Sequence, residues 1–252
     1  MSDAFENPLR RIWSGGGCAA NGWLAVPSIL TAEAMARAGW DALTVDLQHG
    51  MADYESMTAM LAVIGQTPTV PMVRVPWNDP AHVMRALDAG ALGVICPMIE
   101  TPEDARRFAA ACLYPPEGGR SFGPIRARLV HGDGYPAAAN RFVLPIAMIE
   151  TRAAVEDLAA IAATPGLAGL DIGPSDLASN LGFRPGFDRR EPELLDVIRR
   201  IRDAAKANGL AACLHCGAPD YAAEFAGEGF DLVTISSDAR FVEAGAKAAL
   251  ER

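Results

Sequence analysis

FVLPIAMIETRAAVEDLAAIAATPGLAGLDIGPSDLAS, residues 142–179, carries the organisation of the whole chain. An apolar run, Phe142–Glu150, leads into an alanine-rich amphipathic stretch, TRAAVEDLAAIAA, then a Pro-Gly break and a second apolar run, Leu167–Ile172. Unbroken apolar runs of this length suit strands buried on both faces, as in a parallel sheet covered by helices. Each run delivers a carboxylate at or just past its C-terminal end, Glu150 from the first and Asp176 from the second. A carboxylate at the tip of a buried strand is costly unless something compensates it. One divalent cation would compensate both. Two carboxylates with several open positions is how Mg²⁺ or Mn²⁺ is held when a substrate supplies the other oxygens, and Co²⁺ fits the same donors.

The same alternation repeats outward in both directions. Apolar runs fall at Trp23–Pro27, Ala42–Asp46, Thr69–Val75, Gly93–Met98, Phe142–Glu150, Leu167–Ile172, Leu210–His215 and Asp231–Ser236. Between them lie helical stretches such as TAEAMARAG, DPAHVMRALDAG and PELLDVIRRIRDAAKANG, several opening on Thr or Asp and closing on Gly. Eight strand–helix units in 252 residues predict a single (β/α)8 barrel of the TIM type over residues 1–252. The doubly wound open sheet is the alternative. It often carries a glycine-rich phosphate turn after its first strand, whereas SGGGC at Ser14–Cys18 precedes that strand. The longest irregular region, Tyr114–Arg141, is expected at an oligomer contact or near the barrel mouth.

A formal net charge of −9 argues against a nucleic-acid partner. Five cysteines, an odd number in a chain large enough to need no staples, suit reduced thiols. The N-terminus, MSDAFENPLRRIW, lacks the apolar core of a signal peptide, and no apolar run is long enough to span a bilayer. A cytoplasmic enzyme without a membrane partner is the expectation.

In a barrel, chemistry gathers where the strands end. The second run ends in Asp46, Gln48 and His49, the third in Arg74, the fifth in Glu150, and the sixth leads to Asp171 and Asp176. The seventh ends in His215 and Cys216, the eighth in Ser236, Ser237 and Asp238. A metal chelated by an α-keto acid polarises the ketone and stabilises the enolate beside it. Arg74 would add positive charge where negative charge develops, and His49 would move a proton with Asp46 fixing its tautomer. The set suits reversible carbon–carbon cleavage next to a carbonyl. No lysine ends any run, which disfavours a Schiff base.

DLQHG at Asp46–Gly50, VRVPWNDP at Val73–Pro80, ALDAGALGVICPMIET at Ala86–Thr101, YPPEGGR at Tyr114–Arg120, IET at Ile149–Thr151 and IGPSDLA at Ile172–Ala178 follow one another in this order. On these motifs the chain resembles the HpcH/HpaI aldolases from about Gly22 to its C-terminus. The resemblance implies a class II pyruvate aldolase that cleaves 4-hydroxy-2-oxo acids to pyruvate, or hydroxypyruvate, and an aldehyde. It implies metal-binding roles for Glu150 and Asp176, an enolate-steadying role for Arg74, and a proton-transfer pair in His49 and Asp46. It also implies that the backbone at Gly173, Pro174 and Ser175 receives the pyruvate carboxylate, and that Asp88 approaches a neighbouring subunit's site. The implied assembly is a homohexamer, a trimer of dimers that exchange their last helix. Gln48, where an acidic residue is common, and Ser121, where glycine often follows the arginine, depart from the pattern and bear on the acceptor.

Plainer roles compete at several positions. Asp176 would serve as an N-cap for a helix starting near Leu177, and Asp171 as a structural carboxylate. Cys213-x-x-Cys216 reads as two structural cysteines rather than a zinc or redox site. Arg120, Arg126 and Arg128 suit an anionic tail, a subunit contact or solvent equally. For the whole chain, an acyl-CoA lyase of the malyl-CoA or citramalyl-CoA type is the second enzymatic possibility. The chain ends soon after its eighth strand and helix, which leaves little for a nucleotide tail. A barrel that binds a keto acid without turnover is the third possibility.

Overall fold

A computed structural model describes residues 5–251. Eight parallel strands close into a barrel in sequential order. They are β1 (Ala19–Leu24), β2 (Ala42–Asp46), β3 (Val70–Arg74), β4 (Gly93–Cys96), β5 (Leu144–Ile149), β6 (Gly169–Ile172), β7 (Ala211–Cys216) and β8 (Leu232–Ile235). Closure joins β1 to β8 through the register Ala19↔Leu232, Ala20↔Val233 and Asn21↔Thr234, so no strand edge is left unpaired. Helices α1 (Pro8–Ser14), α2 (Ile29–Ala36), α3 (Tyr54–Ile64), α4 (Pro80–Asp88) and α5 (Pro102–Cys112) belong to the first half. The second half carries α6 (Ile125–His131), α7 (Tyr135–Phe142), α8 (Arg152–Glu156), α9 (Leu158–Ala162), α10 (Pro174–Asn180), α11 (Pro192–Ala207), α12 (Pro219–Gly227) and α13 (Asp238–Leu250).

Alternation along each strand divides the core in two. Leu43, Val45, Val73, Leu170, Ile172 and Leu214 pack outward against the helices. Trp23, Met72, Ile146, Met148 and Cys213 fill the interior and the floor. Both faces of nearly every strand are thus withdrawn from water, which is why the runs read as continuous apolar segments. One polar group inside, Asn21, is matched by its neighbours, bonding to Thr234 at 2.8 Å and to Thr44 at 3.1 Å.

Two expectations are corrected. The first strand is Ala19–Leu24, not Trp23–Pro27. Its apolar signal is diluted by Asn21, which the barrel interior satisfies, and by Gly22, where an added Cβ would stand 2.6 Å from Leu43 Cδ2. The second correction concerns residues 114–141. They hold α6 and α7, and α7 sends Tyr135, Ala139 and Phe142 into the floor of the barrel. Each helix has only seven or eight residues, too few for a clear period of 3.6. The segment leads into the first residue of β5, so it covers the end opposite the mouth.

Among the described residues no helix is long and apolar enough to cross a membrane. The five cysteines are free, and Cys96, Cys112, Cys213 and Cys216 are buried. Burial pushes the Cys213 and Cys216 thiols up, so neither is a ready thiolate for metal or redox chemistry.

Candidate active site

A cavity of about 480 Å³ opens at the C-terminal ends of the strands and is lined by Asp46, His49, Arg74, Glu150, Asp176 and the Gly173–Ser175 segment. The side chains expected from the sequence therefore converge, with Asp88 outside the group.

Arg74 and Asp46 are register partners at the ends of β3 and β2. Their ion pair is buried and two-pronged: Arg74 Nε donates to Asp46 Oδ1 at 2.9 Å and Nη2 to Oδ2 at 2.7 Å. Oδ2 also accepts from Trp23 Nε1 at 3.2 Å, and Oδ1 from the Gln48 and His49 backbone N–H groups at 3.0 and 3.3 Å. Burial opposes ionisation of Asp46, but Arg74 and these donors outweigh it and hold the carboxyl below its ordinary value. The side-chain pair expected between Asp46 and His49 is thus not formed. Asp46 grips the backbone of its own loop and the guanidinium of Arg74. The His49 imidazole sits exposed at the rim.

Glu150 follows β5 and is buried, with only 2% of its surface exposed. Its Oε1 accepts from the Met98 N–H at 2.9 Å, and Met98 holds a positive φ of 55° to present that group. A Cβ at residue 173 would stand 2.1 Å from Glu150 Oε2, so only glycine lets the carboxylate lie against the start of α10. Burial pushes Glu150 up to about 7; Met98 and Arg74 oppose that, and Asp176 adds to it. Asp176 is the third residue of α10, whose N-cap is Gly173, so the N-cap role is corrected. Asp176 is also exposed, so the cost that flagged both carboxylates in the sequence applies to Glu150 alone.

Asp171 lies one layer below, in register with Met148 and Cys213. It is fully buried and neither carboxylate oxygen has a hydrogen-bond partner. Burial, and then the Glu150 charge, push it up to about 7. It is not a satisfied structural carboxylate.

Glu150 and Asp176 face the cavity with no cationic side chain in ion-pair contact among the described residues; the Arg74 charge is committed to Asp46. Two oxygen-donor side chains on a concave wall, one with its ionised form disfavoured by burial and by the other, are the environment a hard divalent cation relieves. The donor set fits such an ion with most of its coordination left to water or substrate. Among the described residues no group of three or more His, Cys, Asp or Glu is arranged to hold a metal.

Asp88 ends α4 at the floor of the barrel and pairs with the buried Arg120 at 2.6 Å. Arg126 donates to the Ala89 carbonyl and Arg128 pairs with Asp133 at 2.7 Å, so the three arginines form no free anion cluster. Sequence reasoning named His215 at a strand end but gave it no role, and it left out the rest of the cavity's aromatic wall, Trp23 and Phe187, with Arg240 at the rim. Phe187 and Arg240 lie outside the strands, where no periodic signal marks them. His215 does end a strand. Burial and the Arg74 charge push its imidazole down to about 3, with Asp46 opposing and Arg240 adding, so it stays neutral.

Residues 22–243 match the model of a family described as HpcH/HpaI aldolase/citrate lyase. A hydroxypyruvate/pyruvate aldolase of Rhizorhabdus wittichii is 41% identical over 241 residues, covering 96% of each chain. A 4-hydroxy-2-oxo-heptane-1,7-dioate aldolase of Salmonella typhimurium is 34% identical over 215 residues, covering 83% of this chain and 80% of that one. The crystal structure of an HpcH/HpaI aldolase/citrate lyase family protein from Burkholderia cenocepacia superposes with a TM-score of 0.90 at 33% identity, covering 96% of this chain and 97% of that one.

Proposed function

The chain belongs to the HpcH/HpaI aldolase/citrate lyase family, and from that premise we propose that it is a divalent-metal-dependent pyruvate aldolase. It cleaves 4-hydroxy-2-oxo acids to pyruvate or hydroxypyruvate and an aldehyde, and runs in reverse. The observation that carries this is the Glu150–Asp176 pair, without an ion-pair partner among the described residues, beside an arginine locked in place by Asp46.

A cation held by Glu150 and Asp176, Mg²⁺ or Mn²⁺ by the chemistry of the donors, supplies Lewis-acid polarisation of the substrate's keto oxygen. Asp46 occupies Nε and Nη2 of Arg74 and leaves Nη1 for an oxygen on which negative charge develops. The buried pair holds that guanidinium before substrate arrives, so little reorganisation accompanies the reaction. The first-turn N–H groups of Ser175 and Asp176 have no partner within α10, and with Gly173 and Pro174 they form the seat for the pyruvate carboxylate. His49, exposed at the rim, exchanges the proton of the 4-hydroxyl directly or through water. His215, held neutral, is no general acid near pH 7.

Assembly as a homohexamer in which copies exchange the last helix, α13 beyond the first turn that Asp238 anchors to its own chain, is part of the same proposal. Along α13 only Asp238 is buried, and Val242 and Leu250 are 65% and 82% exposed, an apolar face that a second copy would cover. Asp88 keeps its place as the residue expected to approach a neighbour's site.

Pyruvate C3–H exchange in deuterated buffer tests the central claim. Exchange should stop in excess chelator and return with Mg²⁺ or Mn²⁺. Full exchange after verified metal removal would defeat it.

A further inference from the structure

One wall of the cavity is a ladder of side chains in contact, tilted at Trp23–His215, where the ring planes stand 59° apart, and stacked at His215–Phe187. The Arg74 guanidinium lies 4.8 Å from the centroid of Trp23. Trp23 and His215 follow with centroids 4.6 Å apart, then His215 and Phe187 at 4.9 Å with ring planes 28° apart. Arg240 completes the series, its guanidinium 4.7 Å from the centroid of Phe187. The ladder runs from the buried Arg74–Asp46 pair to the open rim.

Its two ends differ in charge. Arg74 is neutralised by the two-pronged contact with Asp46. Arg240 makes no ion pair among the described residues. Glu243, on the same helix, is taken by Lys247, and Asp188 at the same rim accepts from the Gly217 N–H at 2.8 Å. Between the arginines lie three uncharged rings. Among the side chains lining the cavity, Arg240 is therefore the one permanent cation without a protein partner.

Arg240 is also held in place from behind. Asp238, two residues earlier, is buried and anchors the first turn of α13 to the loop after β1. Its Oδ1 accepts from the Ala25 and Ala239 N–H groups at 2.9 and 2.8 Å, and its Oδ2 from the Val26 N–H at 3.2 Å. Ser236, at a φ of 56°, turns the chain from β8 into that anchor. Arg240, Phe187 and Ser175 line both the main cavity and a shallower one of about 500 Å³ that continues past Gly186, Asp188 and Gly217. The two hollows form one cleft, and Arg240 stands where they meet.

Resting on the aldolase assignment above, we propose that Arg240 is the specificity-determining residue for the acceptor: it binds the anionic terminus, carboxylate or phosphate, of an aldehyde whose chain lies along the Trp23–His215–Phe187 wall. In that assignment the donor's carboxylate takes the Gly173–Ser175 seat, and its keto oxygen takes Arg74 and the cation that Glu150 and Asp176 would hold. An anion at the outer end of the ladder is left with Arg240 as its counter-charge. A planar guanidinium braced on an aromatic face suits either anion in two-pronged contact.

Arg240→Gln and Arg240→Lys test this in the metal-loaded enzyme with pyruvate as donor. The acceptors are succinic semialdehyde for the carboxylate, glyceraldehyde 3-phosphate for the phosphate, and propanal as the neutral control. For at least one anionic acceptor, Arg240→Gln should lower kcat/KM about tenfold or more, chiefly through KM, while propanal and the pyruvate KM stay within about twofold. Arg240→Lys should recover part of the loss, and the acceptor that falls furthest identifies the anion. Equal losses on neutral and anionic acceptors, no loss on either, a raised pyruvate KM, or wild-type enzyme that uses propanal but neither anion would each overturn the role of Arg240. Failure of the aldolase assignment itself shows separately, as wild-type enzyme that neither exchanges pyruvate C3–H nor forms any aldol product, and it removes the Arg240 role with it.

Discussion

Replacing Asp171 with asparagine should make the metal-free protein more stable, by an amount that grows with pH. Asp171 is fully buried, both of its oxygens lack partners, and burial with the Glu150 charge lifts it to about 7. In the unfolded chain it returns to its ordinary value of 3.8. Between those two values the folded state binds a proton that the unfolded state has released, so rising pH favours unfolding. The penalty is absent below the unfolded value, grows across the window and is complete above about 7. About three pKa units at 1.36 kcal/mol each set a ceiling of about 4 kcal/mol. Asparagine has the same shape and never ionises, and its partnerless amide costs about what the partnerless neutral acid costs. The variant should match wild type near pH 4 and gain roughly 10 °C in Tm at pH 8 if the ceiling is reached. Urea titrations of both proteins in chelator from pH 4.5 to 8.5 measure the difference directly, and Glu150, common to both, largely cancels. A difference that stays flat across that range, or an Asp171→Asn protein less stable at pH 8, would refute the reasoning and require a partner for Asp171 in the folded state.

Because Glu150 holds its proton up to about 7, a cation must displace that proton below this pH. Calorimetric Mn²⁺ affinity should therefore weaken by about tenfold per pH unit from 7 down to 5, and a flat profile would mean that Glu150 either is not a ligand or is already ionised across that range. Gly173→Ala places a methyl against Glu150 Oε2, so Mn²⁺ affinity should drop at least about tenfold with the circular dichroism spectrum unchanged; wild-type affinity in this variant would show that the carboxylate need not lie against α10. Light scattering should give a mass near six chains, and Val242→Asp with Leu250→Asp should reduce it; an unchanged mass would mean that the apolar face of α13 is not the contact.

Much of the site is legible in the sequence, because a parallel barrel writes its strands as runs apolar on both faces and collects function where the runs end. Asp46, His49, Arg74, Glu150 and Asp176 stand at those ends, and the cavity gathers all of them. The need for glycine at residue 173 was not legible in the sequence, since it arises from a carboxylate that the neighbouring strand brings against it. The first strand was misplaced, and the helices of residues 125–142 were read as irregular chain, for related reasons. Asn21 is polar yet buried, and α6 and α7 are too short to show a period, so local pattern understates contacts made across the barrel.

The sequence by itself determined the fold class, the rim on which chemistry occurs and the chemical types gathered there, because all three follow from periodicity and from which residue ends each run. Tertiary structure decided which groups share their charges. Along the chain Asp46 is three residues from His49 and 28 from Arg74, and only the β2–β3 register gives it to the guanidinium. Asp171 and Glu150 look alike as carboxylates near strand ends. One is fully buried in the barrel interior without partners, and the other faces a cavity where a cation can reach it. The Trp23–His215–Phe187–Arg240 wall joins four distant segments of the chain, and a ladder of that kind is a property of the closed barrel, with no counterpart in the spacing of its residues.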